Sequence, residues 1–441
     1  MTKVKEQIKE SSVATDATDK QEKTLIREQS KTSNADAGKR EETQNTRILS
    51  IDRFRGFAIF CMIFFQLAGN FDNLGFLSRI ANHSVTDGIV LFPGMTIADI
   101  IAPMFMFAIG LTYILSFKKR AERDGKAKTY VHFALRYLAL IGLGTALQSI
   151  NKIIGAFDGD ALAAVDYVFI SFFALILLAG ILYLIFSIPQ IKKYRSYLSK
   201  AFLYVLALTG VVTLMALIRD FAVLSENPTN HTFGYWFILQ SIGLPGLITL
   251  FVIDKNIWKR LLWTVGFFTV FTIYHEAGNQ AVVDAMTHGG LMGGLAWTTI
   301  LLVGTIIAEL YSKNKNSLYI CTGILAPIAI ASFFIFGINP GSISPGFVII
   351  TATLCSIIFI VFELFNFLKL KHFDFLAIWG KNPLLLYILE FALIGSIVKL
   401  CPDSLIEQAP VWLALIWLIG LTAVLTGIAY LLHRKKKVIK L

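Results

Sequence analysis

The feature that most limits what this chain can fold into is a succession of apolar blocks joined by short loops. About 20 apolar residues in a helix span the ~30 Å hydrocarbon core of a bilayer, and most of the blocks reach that length. Twelve are recognised, at 54–70, 95–117, 131–150, 164–188, 201–218, 233–253, 261–275, 291–311, 318–337, 346–368, 376–398 and 411–432. The fold class this predicts is all-α: a polytopic integral membrane helical bundle of about 12 transmembrane helices. Composition agrees, with 56% apolar and 16% charged residues. An ordinary soluble domain carries roughly a quarter charged residues.

The net charge of +11 is distributed by loop. Alternate loops hold Lys118, Lys119, Arg120, Arg123, Lys126 and Lys128, then Lys192, Lys193, Arg195 and Lys200, then Lys255, Lys259 and Arg260. Lys313 and Lys315, Lys369 and Lys371, and the tail residues Arg434 to Lys437 continue the series. The intervening loops hold little besides Arg79, Lys152, Arg219 and Lys399. Lys and Arg concentrate in cytoplasmic loops, and one missed span would invert every later loop, so the alternation predicts both termini in the cytoplasm of a multi-pass cell-membrane protein. No basic face interleaved with aromatics is present, so a nucleic-acid partner is not expected. Of Cys61, Cys321, Cys355 and Cys401, three fall inside apolar blocks, and no disulfide framework or zinc spacing is visible. Residues 1–46 are too polar to bury a core and are expected to be a disordered cytoplasmic tail. Residues 47–434 form the transmembrane domain, and 435–441 a basic cytoplasmic tail.

The predicted outer loops are 71–94, 151–163, 219–232, 276–290, 338–345 and 399–410. They carry His83, Asp87, Asp158, Asp160, Asp220, Glu226, His231, Glu276, Asp284 and His288, with His275 at the membrane edge. His275, Glu276 and His288 could share a metal ion only if two adjacent residues faced it, so no metal is expected. Ionisable groups inside the membrane are costly unless paired or lining a wet cavity. Asp52 and Arg55 are three apart and share a helix face, where they either anchor the inner interface or face a cofactor. Asp99 stands near the outer end of the second helix and Gln66 near the outer end of the first. Gly380-Lys381-Asn382-Pro383 is a turn that opens a helix carrying Tyr387 and Glu390, three apart on one face. A packed Tyr387–Glu390 hydrogen bond and a functional role for Glu390 are both open at this point. Glu309 and Glu363 are expected at inner helix ends.

Arg47-Ile48-Leu49-Ser50-Ile51-Asp52-Arg53-Phe54-Arg55-Gly56 resembles the opening motif of heparan-alpha-glucosaminide N-acetyltransferase and its bacterial relatives. Gly94-Met95-Thr96-Ile97-Ala98-Asp99-Ile100-Ile101-Ala102-Pro103, with Phe105, Phe107 and Gly110, resembles the next helix of that superfamily. Later matches are Gly290-Leu291 with Gly304; Phe336, Ile338, Asn339, Ser344, Pro345, Phe347 and Val348; and Gly380, Asn382, Leu385 and Tyr387. The likeness runs over about residues 47–400. It departs from the pattern where the family histidine would stand, at Ile89; the only histidine of that loop is His83. Gln66 replaces a family Asn, Thr287-His288-Gly289-Gly290 an Asp-Pro-Glu-Gly segment, and Pro340 a Lys.

The resemblance implies transfer of an acyl group, acetyl above all, from cytosolic acetyl-CoA to a cell-envelope glycan on the far side of the bilayer. It implies His83 as base with Gln66 and Asp99 orienting it or binding the acceptor. Asp52, Arg55, Asn382, Tyr387 and Glu390 are the candidates facing the acyl-CoA donor. The partners implied are the lipid bilayer, acyl-CoA and an extracytoplasmic glycan acceptor, with the oligomeric state, a homodimer included, left open. The alternative is a transporter or non-catalytic membrane component that keeps the fold, since fold does not fix function.

Overall fold

The computed structural model describes residues 48–69, 71–83, 85–157, 162, 164–185, 195–223, 236–278, 287–391 and 410–435. The expected N-terminal tail, and Asp158, Asp160, Glu226, His231, Asp284 and Cys401, lie outside the described residues. The helices are α1 (Leu49–Ala68), α2 (Phe76–Ala81), α3 (Ile101–Asp124), α4 (Lys126–Phe157), α5 (Ala164–Ile185) and α6 (Arg195–Val223). Then follow α7 (Ile238–Leu250), α8 (Ile257–Ala277), α9 (Gly290–Lys313), α10 (Ser317–Phe336) and α11 (Pro345–Phe367). The last described are α12 (Asp374–Trp379), α13 (Pro383–Leu389) and α14 (Val411–Arg434). One short ribbon, β1 (Val90–Phe92) against β2 (Met95–Thr96), is antiparallel, with Val90 opposite Thr96.

Among the described residues, seven helices are long and apolar enough to cross a membrane, and the protein is a membrane protein. They contain 98–124, 126–156, 197–219, 290–313, 317–336, 345–367 and 411–434. Of the other predicted spans, 164–188 falls in the 22 largely apolar residues of α5, and those at 54–70, 233–253 and 376–398 meet shorter or more charged helices. The block at 54–70 falls in α1, whose first turns carry Asp52, Arg53 and Arg55. The block at 233–253 gives only the 13 residues of α7. The block at 376–398 is not one continuous helix: the turn at Gly380–Asn382 separates α12 from α13, and Pro383, which lacks an N–H, opens the second piece. Its continuation lies outside the described residues.

Local chemistry sets the helix starts. Ser344 caps α11 by accepting a hydrogen bond from the Phe347 N–H, with Pro345 at the first helical position. Asn256 does the same for α8 through the Lys259 N–H. The span expected from residue 95 starts later. Gly94, at φ 87°, turns the ribbon, and a 3-10 turn at Ala98–Ile100 leads into α3. A side chain at Gly94 would meet the carbonyl oxygen of Ile338 at 2.5 Å, so the turn is pressed against the loop before α11.

The core lies where α1, α3, α9 and α11 cross. Phe54 of α1 is fully buried and meets Phe107, Phe359 and Phe362 edge-on, with ring centroids 5.8–6.1 Å apart. Such pairs add about 0.5–1.5 kcal/mol each beyond burial. Small residues let backbones approach, as membrane helix pairs require. A Cβ on Gly110 would sit 2.3 Å from the Leu301 carbonyl oxygen of α9, and the Cα of Gly304 faces it at 3.1 Å. By contrast α10 and α14 are mostly uncovered: Phe334, Ile335, Trp412 and Ile419 are each more than 60% exposed. In a bilayer those apolar faces meet lipid.

Two polar ends and a candidate active site

One end of the bundle gathers the basic segments. Glu309, near the end of α9, is buried and accepts from Lys118 Nζ of α3 at 2.7 Å and from Arg260 of α8. Lys313 lies 3.6 Å away. Glu363 of α11 accepts from Lys315 Nζ at 2.8 Å and from the hydroxyl of Tyr311, which also contacts Ser50. Arg53, 2% exposed, donates to Asp374 at 2.6 Å and to the Leu370 carbonyl at 3.0 Å. Segments widely separated in sequence are thus tied at one level. Glu309 and Glu363 stand at helix ends as expected; their tight ion pairing, and the Arg53–Asp374 bridge, carry no local sequence signal.

Two of the candidate groups for the donor adjoin this end. Arg55 Nη2 donates to Asp52 Oδ1 at 3.2 Å, joining the two residues the spacing pairs. Gly56 packs so closely on α12 that a Cβ there would lie 1.6 Å from the Leu376 carbonyl oxygen, and one on Gly380 would lie 2.3 Å from the Asp52 carbonyl oxygen. The opening motif and the Gly380–Asn382 turn therefore touch. Asn382, Tyr387 and Glu390 follow, each buried. The Tyr387–Glu390 hydrogen bond does not form: both Glu390 oxygens are buried with no hydrogen-bond partner. The backbone turns there from α-helix to a wider π-turn at Glu390 and Phe391.

The opposite end holds His83, His275 and His288. His83 Nδ1 lies 2.6 Å from Asp99 Oδ1. The Asp99 carboxylate is buried, and its other oxygen accepts from the Thr96 N–H at 2.7 Å and the Thr96 hydroxyl at 3.0 Å. The His83 side chain is 69% exposed. The fold creates this pair by hairpin geometry: Ile89 donates its N–H to the Arg79 carbonyl and accepts from the Ile97 N–H, so the chain doubles back and brings residue 83 to residue 99. Ile89 thus serves as a backbone strut. Gln66 stands half-buried at the end of α1, and the His83–Asp99 bond is made without it.

Sequence reasoning named Thr96 only within a motif and His288 only as an outer-loop histidine and a discounted metal ligand, and gave neither a place beside this pair. Thr96 fixes the carboxylate; the Thr-x-x-Asp spacing, which resembles a capping box, was the available signal. His288 sits half-buried between Phe237 and Trp297, with ring centroids at 5.9 and 6.3 Å. Its backbone is in the left-handed region at φ 54°, followed by Gly289 and Gly290, also at positive φ, and Trp297 Nε1 donates to its carbonyl at 3.1 Å. Burial lowers its pKa to about 4, and the charge of His83 pushes the same way. His275, by contrast, bonds Glu276 at 2.9 Å and Ser342 at 3.2 Å.

No curated protein matches the chain significantly. Residues 47–212, under half of the chain, match a family model described as heparan-alpha-glucosaminide N-acetyltransferase, catalytic. The match takes in α1, the ribbon, α3 and the whole His83–Asp99 pair; Gly380, Asn382 and the other later motifs lie beyond it. The segment supports a membrane acetyltransferase type of function. Over residues 47–212 the chain is thus similar to the catalytic segment of the heparan-alpha-glucosaminide N-acetyltransferase family.

Proposed function

We propose that this protein moves an acyl group, acetyl in the first instance, from cytosolic acyl-CoA to a hydroxyl or amine of an extracytoplasmic cell-envelope glycan. The observation that carries the reading is the His83–Asp99 pair: an exposed imidazole on a buried carboxylate whose second oxygen is already held by Thr96. An Nδ1–H bond to Asp99 fixes the tautomer that leaves Nε2 free to accept a proton. The acyl-CoA, when bound, supplies the acyl group as a thioester. His83 Nε2 takes the proton of the acceptor hydroxyl or amine as that group bonds to the acyl carbon, and returns it to the departing sulfur. Asp99 stabilises the imidazolium between the two transfers, and Thr96 keeps the carboxylate from rotating.

On the donor side, Asp52, Arg55, Asn382, Tyr387 and Glu390 cluster around the contact of α1 with α12 and α13. Glu390 offers acceptor oxygens with no protein partner, which suits the amide N–H groups of a pantetheine arm. The positive-inside rule puts the basic end in the cytoplasm with both termini, in a bundle of about twelve spans. Asp99 and Lys118 stand at opposite ends of one helical run, 19 residues or about 28 Å apart by helical rise. Donor and acceptor then approach from opposite faces of the membrane.

The test is acetyl transfer from radiolabelled acetyl-CoA to isolated envelope glycans by the purified protein. Label should appear with the wild type and fall roughly hundred- to ten-thousandfold in His83→Ala. Wild-type protein that transfers nothing, or His83→Ala that transfers normally, sinks the proposal. The unpartnered carboxyl of Glu390 also suits the second reading, a transporter or non-catalytic component. Thermal stabilisation of the protein by acetyl-CoA favours the enzyme, and its absence favours that alternative.

A further inference from the structure

A groove of about 590 Å³ runs between α1, α12 and α14, away from the histidine pair. Phe64, Phe375 and Trp379 form one wall, and Ile419, Ala423 and Gly427 lie along the other. The α14 positions recur at helical spacing from Ile419 to Tyr430, a length of about 16 Å, close to half the ~30 Å hydrocarbon thickness. The groove is therefore one leaflet deep. It is open to the side, because α14 is covered over only a small part of its length.

Two of the residues that line it carry a buried polar atom just beneath its apolar surface. Trp379 is 1% exposed, and its Nε1 has no hydrogen-bond partner; Thr422 Oγ1 is likewise buried and unpartnered. The contrast with Thr426, whose hydroxyl donates to the Thr422 carbonyl at 2.7 Å in the usual helical manner, is informative. An unmet buried donor in hydrocarbon is costly, so these side chains call for an acceptor that the protein does not supply. At the end of the same stripe the chemistry changes sign. Lys381 Nζ donates to His433 Nδ1 at 2.9 Å, one helical turn beyond Tyr430, and Arg434 and Lys435 follow, both exposed.

We infer that this groove is a binding site for an anionic glycerophospholipid of the leaflet at the basic end. One acyl chain lies between Phe64 and Ile419, its ester carbonyl accepts from Trp379 Nε1 and the Thr422 hydroxyl, and the phosphate meets the cations around Arg434. Each part answers an observation: the depth of the groove, its two unmet donors, and the charge at its mouth. The site does not depend on the acyl-transfer reading.

The experiment is native mass spectrometry of the intact protein with added dioleoylphosphatidylglycerol or dioleoylphosphatidylcholine. The phosphatidylglycerol adduct should dominate, and Arg434→Gln with Lys435→Gln should weaken it roughly fivefold per charge removed. Trp379→Phe, which keeps the ring and removes the donor, should weaken both lipids severalfold. Ala423→Leu, at an exposed position, should fill the groove and displace both. Elution volume and melting temperature report folding for every variant, and Thr422→Val stands in for any that fails to fold. Equal retention of the two lipids, retention unchanged by Ala423→Leu and Trp379→Phe, or displacement of phosphatidylglycerol by acetyl-CoA would each overturn the assignment; the last would make the groove part of the donor site.

Discussion

At the basic end Glu309 is enclosed by Lys118, Arg260 and Lys313, while at the other end Asp99 is shared between one exposed histidine and one threonine. Both are buried carboxylates at the ends of membrane helices. Their surroundings assign them different work. The cations around Glu309 come from α3, α8 and α9, so the charge is used up in tying helices together. Asp99 spends one oxygen on its own helix start and the other on an imidazole that faces outward. A closed ion cluster holds a fold; an open pair can exchange a proton with something that arrives from solution.

The sharpest way to break that contrast is to make each carboxylate neutral without changing its shape. Asp99→Asn should leave the melting temperature within a few degrees of wild type. It should cut acetyl transfer by up to about ten-thousandfold, since a lost carboxylate orients the wrong tautomer. Steady-state transfer assays beside a melting curve check this, and a variant that keeps its activity would remove Asp99 from the site. Glu309→Gln should behave in the opposite sense. It leaves the guanidinium of Arg260, fully buried, without its counter-charge, a loss on the order of 3–5 kcal/mol. Thermal denaturation in detergent should show a large drop, while the protein that remains folded should transfer acetyl at a near-normal rate.

The two ends also differ in how far they could be read from sequence. Loop charge alternation separated basic from acidic segments, and the structure joins the segments around Lys118, Arg260 and Lys315 at one end. That pattern is carried by composition, which needs no tertiary information. The Asp52–Arg55 pair was legible because helical spacing alone places it. Arg53–Asp374 was not, because its partners are separated by most of the chain. His83 and Asp99 were legible as candidates, but their meeting depends on the ribbon turned at Gly94, and a helix was expected to begin there. His288 was hidden by a left-handed backbone that no side-chain pattern announces.

The close approach of α1 to α12 gives a middle-sized effect at the basic end. Gly56→Ala places a methyl against the Leu376 carbonyl and should cost about 1–3 kcal/mol. Gly420→Ala on α14, where nothing lies within 4 Å, is the matched control and should be neutral or slightly stabilising. Equal melting temperatures for the two variants would mean that the helices can slide apart freely, and the contact would not position Asp52.

The last test concerns His288, and it sharpens the comparison from the histidine end. Its folded pKa is about 4, against an ordinary histidine value of 6.5, because burial disfavours its charged form and His83 adds repulsion. Between those values the unfolded chain binds the extra proton and the folded one does not. Stability from this group is therefore fully present above pH 6.5, is lost progressively as the pH falls toward about 4, and changes no further below that. Asparagine tolerates the left-handed backbone that His288 adopts. His288→Asn should thus fold, and its melting temperature should decline less than that of wild type across this window. His83→Gln should act in the same direction by a smaller amount, since removing a positive neighbour raises the His288 pKa and narrows the interval. A wild-type profile that runs parallel to His288→Asn would show that His288 is solvated, and it would leave the His83–Asp99 pair without a dry neighbour.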